Sequence, residues 1–413
     1  MEIVNNKNKI ILFKNKQDCC GCSGCMNICP KQAISMNLDE YGFIYPKIDE
    51  YLCVKCGLCN KVCGFQNIEI KNTVQKAYAS ISKVDYILSK SASGGIFGTI
   101  AYEFISGGGV VYGSSMEFEN NQLSPKHIRI DKICDIYKVQ GSKYVQSDLD
   151  NCFIQIKNDL INNKEVLFSG TPCQVASLYS YLFNINIDKL YTIDIICHGV
   201  PSSTFFHDYI KFLSNKLKGT ITNFKFRDKS NGWGLLACVE YINKNEKKKK
   251  KLINTQVSSY FKLFLESSTY RDSCYNCKYT NSNRPANITL GDYWGIQDLH
   301  PEYLKENGGE LDSKKGISCV LVNNQQGQKM IDKYGENINL LDSTFEKVSS
   351  GNDQLRHPSK INPNRGIVLN LYKNGGYRCV EEWFNKSIGL NKYKIQIKTF
   401  IKINLKKVLK ALR

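Results

Sequence analysis

Residues 19–30 read Cys-Cys-Gly-Cys-Ser-Gly-Cys-Met-Asn-Ile-Cys-Pro, and residues 53–63 read Cys-Val-Lys-Cys-Gly-Leu-Cys-Asn-Lys-Val-Cys. Each run has the spacing C-x2-C-x2-C-x3-C. In bacterial ferredoxins three close thiolates of such a run grip one 4Fe–4S cube and the fourth reaches across to the other. By that rule Cys19, Cys22, Cys25 and Cys63 hold cluster one, and Cys53, Cys56, Cys59 and Cys29 hold cluster two. A tight loop is needed to aim three sulfurs at three irons of one small cube. The competing reading is a pair of zinc knuckles, because C-x2-C also suits zinc. Zinc sites seldom combine a C-x2-C-x2-C run with a distant fourth cysteine.

Around these runs lie 413 residues, 42% hydrophobic and 23% charged, enough for two or three domains with a sizeable core. Met1–Gln17 has no apolar run of signal-peptide type, and no stretch is apolar enough to span a bilayer. With 18 cysteines and no export signal, a reduced cytoplasmic setting is expected, and exposed clusters suggest a low-oxygen, anaerobic one. The net charge of +18 raises the question of nucleic acid. However, the excess sits in the tail from Lys392 and in the run Lys247–Lys251. It does not follow a groove interleaved with aromatics, which argues against nucleic acid as a partner.

The expected class is α+β. Residues 1–16 are a short lead-in with an edge-strand pattern. The ferredoxin-like domain takes 17–70, with a hairpin around Asp39–Gly42 and a polar linker at 68–75. From Lys76 strands alternate with helices. Ser93–Gly94–Gly95 opens a helix through Phe104, and Asp148 is placed to cap a helix to Asn162. The strand Val166–Phe168 runs into Gly170-Thr171-Pro172-Cys173, where Thr171 caps and Pro172 takes the first helical position. The strand Tyr191–Ile196 runs into Cys197-His198-Gly199. Strand, turn and helix twice over is an α/β signature, and ligands of such sheets bind beyond the carboxyl ends of the strands. A hairpin from Gly234 to Val257 is expected to carry the Lys run at its tip.

Outside the two runs, Cys173, Cys197 and the pair Cys274-x2-Cys277 have suggestive positions. From spacing alone they fit a third cluster, a zinc site, or ordinary thiols, with Cys173 activated by a helix start. Cys134, Cys152, Cys238, Cys319 and Cys379 read as small buried hydrophobes. Cys20 adjoins a ligand and is not read as one. The Ser93, Gly94 and Gly95 helix start suits a phosphate or pyrophosphate. Gly141, Ser142, Lys143 and Tyr144 form a polar loop in which Lys143 could stabilise a reduced isoalloxazine. His198 is a candidate proton donor, although a loop histidine is more often only a hydrogen-bonding group.

The ordered segments SASGG, GSKYVQS, SGTPCQVASL, DIICHGVPS, FRDKSNGWG, SCYNCKY and NITLGDYWG, behind a double-cluster unit, resemble the coenzyme F420 hydrogenase/dehydrogenase beta-subunit family. The likeness runs from about Cys19 to Gly295 and more loosely to Trp383. It implies an FAD-binding oxidoreductase domain over 71–390, with FAD at Ser93–Gly95, Gly141–Tyr144 and Thr171–Pro172. It also implies a third 4Fe–4S cluster at Cys173, Cys197, Cys274 and Cys277. Members act on deazaflavins, formate or a chlorophyll derivative, and similar bacterial proteins accompany surface-polysaccharide enzymes. The family therefore names no substrate here. Nothing in the residues identifies a deazaflavin pocket. The expected function is electron transfer between the clusters, FAD and an organic substrate or deazaflavin, with an electron donor or acceptor protein as partner. The rival is a relay subunit of a larger complex.

Residues 391–413 close the chain. Ile397, Phe400, Ile401, Leu405, Val408 and Leu412 recur at helical spacing beside a stripe of Lys394, Lys398, Lys402, Lys406 and Lys410. Such a basic amphipathic helix fits either an anionic membrane surface, at the inner face, or packing on its own domain.

Overall fold

The computed structural model describes residues 9–67, 72–398 and 401. Residues 9–15 are irregular and not an edge strand. The next residues form a short 3-10 turn, Lys16–Asp18. The ferredoxin-like unit folds around a hairpin of β1 (Ile34–Leu38) and β2 (Ile44–Ile48), flanked by the one-turn helices Gly24–Asn27 and Leu58–Lys61. Its turn is fixed by the Asp39 carboxylate, which accepts from the Tyr41 and Phe43 N–H groups at 3.0 and 2.9 Å.

The rest is built on an eight-stranded mixed sheet. In chain order its first members are β3 (Lys76–Ser82), β4 (Val110–Glu119), β5 (Gln122–Ile130), β6 (Val166–Gly170) and β7 (Leu190–Ile195). A separate three-stranded sheet follows, with β8 (Gly219–Lys225), β9 (Leu236–Asn243) and β10 (Lys248–Asn254). The large sheet is then completed by β11 (Ile288–Asp292), β12 (Ser318–Val322) and β13 (Ile338–Ser343), in the order β13-β3-β12-β11-β7-β6-β4-β5. β4, β6, β7 and β11 are mutually parallel. Their apolar runs reflect coverage on both faces. Along β6, Leu167 packs into one core while Val166 and Phe168 pack into the other, the alternation that a pleated strand imposes. The four carboxyl ends therefore lie side by side. Those of β6, β7 and β11 lead into Thr171–Cys173, Ile196–His198 and Tyr293–Trp294, while β4 continues past its pairing with β6 at Val110–Tyr112 through Ser114.

The helix Pro172–Tyr181 starts as expected. Thr171 caps it, Pro172 stands in the first turn, and Gln174 Oε1 accepts the Thr171 N–H at 2.9 Å. Three expectations need correction. Asp148 caps no helix: it accepts the Asp150 N–H at 2.9 Å in a turn, and the helix Cys152–Ile161 starts after Asn151. The Lys run is not a hairpin tip, because Lys248–Lys251 lie in β10, an edge strand paired with β9. A row of lysines on an edge blocks pairing with another chain, which explains the composition better than a solvated loop does. Finally, Cys134 is exposed and Cys379 half-buried, so only Cys152, Cys238 and Cys319 are buried hydrophobes.

The ferredoxin-like unit is docked tightly on the large sheet's helices. A Cβ on Gly64 would stand 2.6 Å from the Ala176 carbonyl oxygen. Lys278 Nζ donates to the Phe65 carbonyl at 2.9 Å, and Ser202 Oγ donates to the Tyr41 carbonyl at 3.2 Å.

The helix Arg365–Ile388, broken at Gly376 with φ of +68°, packs on the second sheet's core. Residues 391–398 are helical, while most of the expected tail helix, residues 399–400 and 402–413, lies outside the described residues. Among the described residues, no helix is long and apolar enough to cross a membrane.

Candidate functional site

A cavity of about 320 Å3 opens at the carboxyl ends of the parallel strands. That lies in the size range of sites for organic ligands. It is lined by Ser93 and Gly95 at the start of helix Ile96–Ser106, by Gly141–Tyr144, by Thr171–Pro172, and by His198. Cys173, Cys197, Cys274 and Cys277 line the same cavity. The structure thus brings together elements separated by as much as half the chain. Gly94 is the exception. Its N–H donates to Ser318 Oγ at 2.9 Å, and a Cβ there would lie 2.5 Å from the Ser80 carbonyl oxygen, so Gly94 serves packing.

The four cysteines face one another closely enough that each thiol bears electrostatically on the others. Burial pushes Cys274 up to about 12 and Cys277 up to about 11, and raises Cys197 as well. Cys173 moves the other way, mainly because the Cys20 thiol hydrogen-bonds it. Cys20 also bonds Cys22, so it stands between the first ferredoxin run and this group without belonging to either ligand set. Its doubled position beside Cys19 was the only sequence signal for this.

In the ferredoxin-like unit, Cys25 feels Cys22, Cys19 and Cys63 of the set assigned to cluster one, and also Cys59 of the other set. Cys29, Cys53, Cys56 and Cys59, the set assigned to cluster two, line one small cavity near the surface. All of these cysteines are free of disulfides. Among the described residues, no three His, Cys, Asp or Glu side chains converge on the space of a single metal ion. Metal loading would displace the thiol protons.

The rest of the cavity offers polar groups and bare backbone to an organic ligand. Ser114 Oγ is buried there without a hydrogen-bond partner. Gly141 has a φ of +81° with open space where a Cβ would be, so the loop's backbone is accessible to a ligand. Lys143 is neither solvated nor pointed freely at the cavity. Its amine donates to the Gln140 and Lys138 carbonyls at 2.9 and 3.2 Å, and burial draws it down to about 7. His198 is open to the cavity, and burial holds its imidazole below the usual value.

Three of the quoted segments, GSKYVQS, FRDKSNGWG and NITLGDYWG, meet beside the cavity, a contact the sequence did not show. Arg227 Nη1 donates to Asp292 Oδ2 at 2.8 Å and to the Tyr144 hydroxyl at 3.2 Å. Trp233 Nε1 donates to Asp292 Oδ1 at 2.9 Å, and its ring stacks on Trp294 at 4.8 Å. These residues come from three distant segments, so only the fold assembles them.

His127, also on the cavity wall, gives a pH signature. It bonds the Ser169 carbonyl and the Ser147 hydroxyl at 3.0 and 2.9 Å, and burial lowers it to about 4. Between about pH 6.5 and 4 the unfolded chain takes up a proton that the folded chain refuses, so stability falls as pH falls through that window. Replacing His127 with Gln should flatten this acid limb in thermal melts. An unchanged limb would remove His127 as its source.

Residues 163–346 match the carboxyl-terminal part of the coenzyme F420 hydrogenase/dehydrogenase beta subunit. Residues 18–67 match the 4Fe–4S dicluster domain. Residues 163–346 therefore carry the carboxyl-terminal domain of that beta-subunit family, behind a 4Fe–4S dicluster domain. The chain is an iron–sulfur redox protein related to that beta subunit, with a ferredoxin-like region in front. The family match contains β6, β7 and β11 with Cys173, Cys197, Cys274 and Cys277. A solved structure of a xenon derivative of the F420-reducing [NiFe] hydrogenase complex from Methanosarcina barkeri includes a chain with 16% identity and a TM-score of 0.42, covering 79% of this chain and 97% of that one. Among curated proteins, none matches.

Proposed function

We propose that this protein is an FAD- and 4Fe–4S-dependent oxidoreductase. In this reading a third cluster, held by Cys173, Cys197, Cys274 and Cys277, stands at the inner end of an FAD cavity. The observation that carries it is the convergence of those four thiols with Ser93, Gly95, Gly141–Tyr144 and Thr171–Pro172 on one cavity. FAD would supply the exchange between single electrons from clusters and the electron pair that an organic substrate or deazaflavin takes or gives. The protein's own part is positioning. Gly141 leaves the backbone bare for the nucleotide, Lys143 holds a buried amine behind the loop, and His198 stands where a proton could pass to or from a bound substrate.

Electrons would enter at cluster two. Cys56 is exposed, as are neighbouring Tyr51, Leu52 and Val54, a surface that suits brief docking of an electron-carrier protein. Cluster one lies deeper, with Cys20 between it and Cys173. Purified without oxygen, the isolated chain should oxidise or reduce a substrate analogue with an artificial one-electron dye. Full cofactor content without turnover towards any acceptor would favour the relay reading, a subunit that only passes electrons.

The tail is proposed to attach the protein to an anionic membrane surface. Leu390, Tyr393, Ile397 and Ile401 are 78%, 63%, 60% and 51% exposed, so these apolar side chains are not covered by the chain's own domain. Deleting residues 392–413 should abolish salt-sensitive binding to anionic vesicles and leave cofactor content unchanged. A fall in melting temperature, with no vesicle binding by the full chain, would show a tail packed on its own domain.

A further inference from the structure

Arg271 is fully buried, at 0% exposure, and no carboxylate among the described residues lies within ion-pair distance of it. Its Nε donates to the Cys19 carbonyl at 2.8 Å. Its Nη1 donates to Gln146 Oε1 at 3.2 Å, and its Nη2 donates to the Ile44 carbonyl at 2.7 Å and approaches Cys19 Sγ at 3.8 Å. Adjacent Asp272 is turned away, bound to Arg365 at 2.7 Å. The site is shaped around the guanidinium. The Tyr45 ring lies 4.1 Å beneath it, and Gly21, with a φ of +67°, would put a Cβ 2.9 Å from Nη1.

A guanidinium keeps its charge at every working pH, and an isolated buried charge is strongly disfavoured. Its polar partners here are neutral carbonyls, an amide and a cysteine sulfur. The missing negative charge is therefore the thiolate-ligated cluster itself. Arg271 also carries Cys274 on its own turn, whose N–H donates to the Arg271 carbonyl at 3.0 Å.

We infer that Arg271 is the built-in counter-charge of cluster one, raising its reduction potential so that electrons collect beside Cys20 and Cys173. Reduction adds one electron, and hence one negative charge, to the cluster. A fixed cation stabilises that reduced form more than the oxidised one, so its removal must lower the potential. The effect on cluster one needs only the ferredoxin-like unit. A matching effect on a cluster at Cys274 rests on the third-cluster reading above.

The test is a reductive titration of the whole protein, followed by electron paramagnetic resonance together with iron content. Arg271→Met should lower one of the two N-terminal potentials by about 59 mV or more, a tenfold change in the one-electron reduction equilibrium, and leave the other in place. Arg271→Lys should retain most of the potential. Gln146→Glu keeps the arginine but gives it a carboxylate partner, so it should shift the same potential downward. This second variant decides the matter if Arg271→Met does not fold. Iron-replete variants with both potentials unchanged, or with both shifted equally, would overturn the inference. Absence of the third cluster would show separately, as about 8 Fe per chain in the parent protein.

Discussion

Replacing Cys274 and Cys277 with Ser is expected to lower the iron of anaerobically prepared protein from about 12 to about 8 atoms per chain. The ferredoxin-like pair should survive, because neither residue belongs to it. Flavin should also survive, because Ser93, Gly95 and Gly141–Tyr144 remain. Electron flow from the N-terminal clusters to the cavity should stop, since the gap between Cys20 and the flavin would hold no metal. Iron analysis, flavin absorbance and dye-linked turnover on one preparation separate these outcomes. A double variant with full iron content would contradict the third site. Full turnover at reduced iron would contradict its place in the path.

Arg284→Met is expected to cost roughly 3–5 kcal/mol, the penalty for stranding one member of a buried ion pair. Arg284 and Asp194 are almost completely buried and meet at 2.8 Å. The same guanidinium donates to the Ile195 carbonyl at 3.1 Å, to Thr289 Oγ1 at 3.2 Å and to the Tyr279 carbonyl. It thereby ties the loop bearing Cys274 and Cys277 to the end of β7, which bears Cys197. Asp194 is pushed upward by burial, with Arg284 opposing the rise. Unfolding monitored by circular dichroism should show the loss, and adding Asp194→Leu should recover part of it. A cost below about 1 kcal/mol would mean that this pair does not hold the loop.

The site was legible in sequence where the chemistry is local. C-x2-C-x2-C-x3-C places its ligands within one turn of chain, and Thr171-Pro172 marks a helix start by capping alone. Cys173 and Cys197 were readable too, because each directly follows a buried strand. Long-range juxtaposition was not readable. Arg271 sits beside a cysteine pair in sequence, where a solvated cation and a buried counter-charge look alike. His127 and Ser114 carry no motif and reach the cavity only because β4, β5 and β6 are neighbours. The Lys run was misplaced for a related reason. Strand pairing with β9, invisible in a stretch of like charge, outweighed the poor strand propensity of lysine.

A flavin beside a third cluster in one cavity is the central claim, and cofactor stoichiometry tests it most directly. Full-length protein, purified and reconstituted without oxygen, should contain about 12 Fe and one FAD per chain. A preparation that is folded and saturated at about 8 Fe, with no FAD retained, would contradict it.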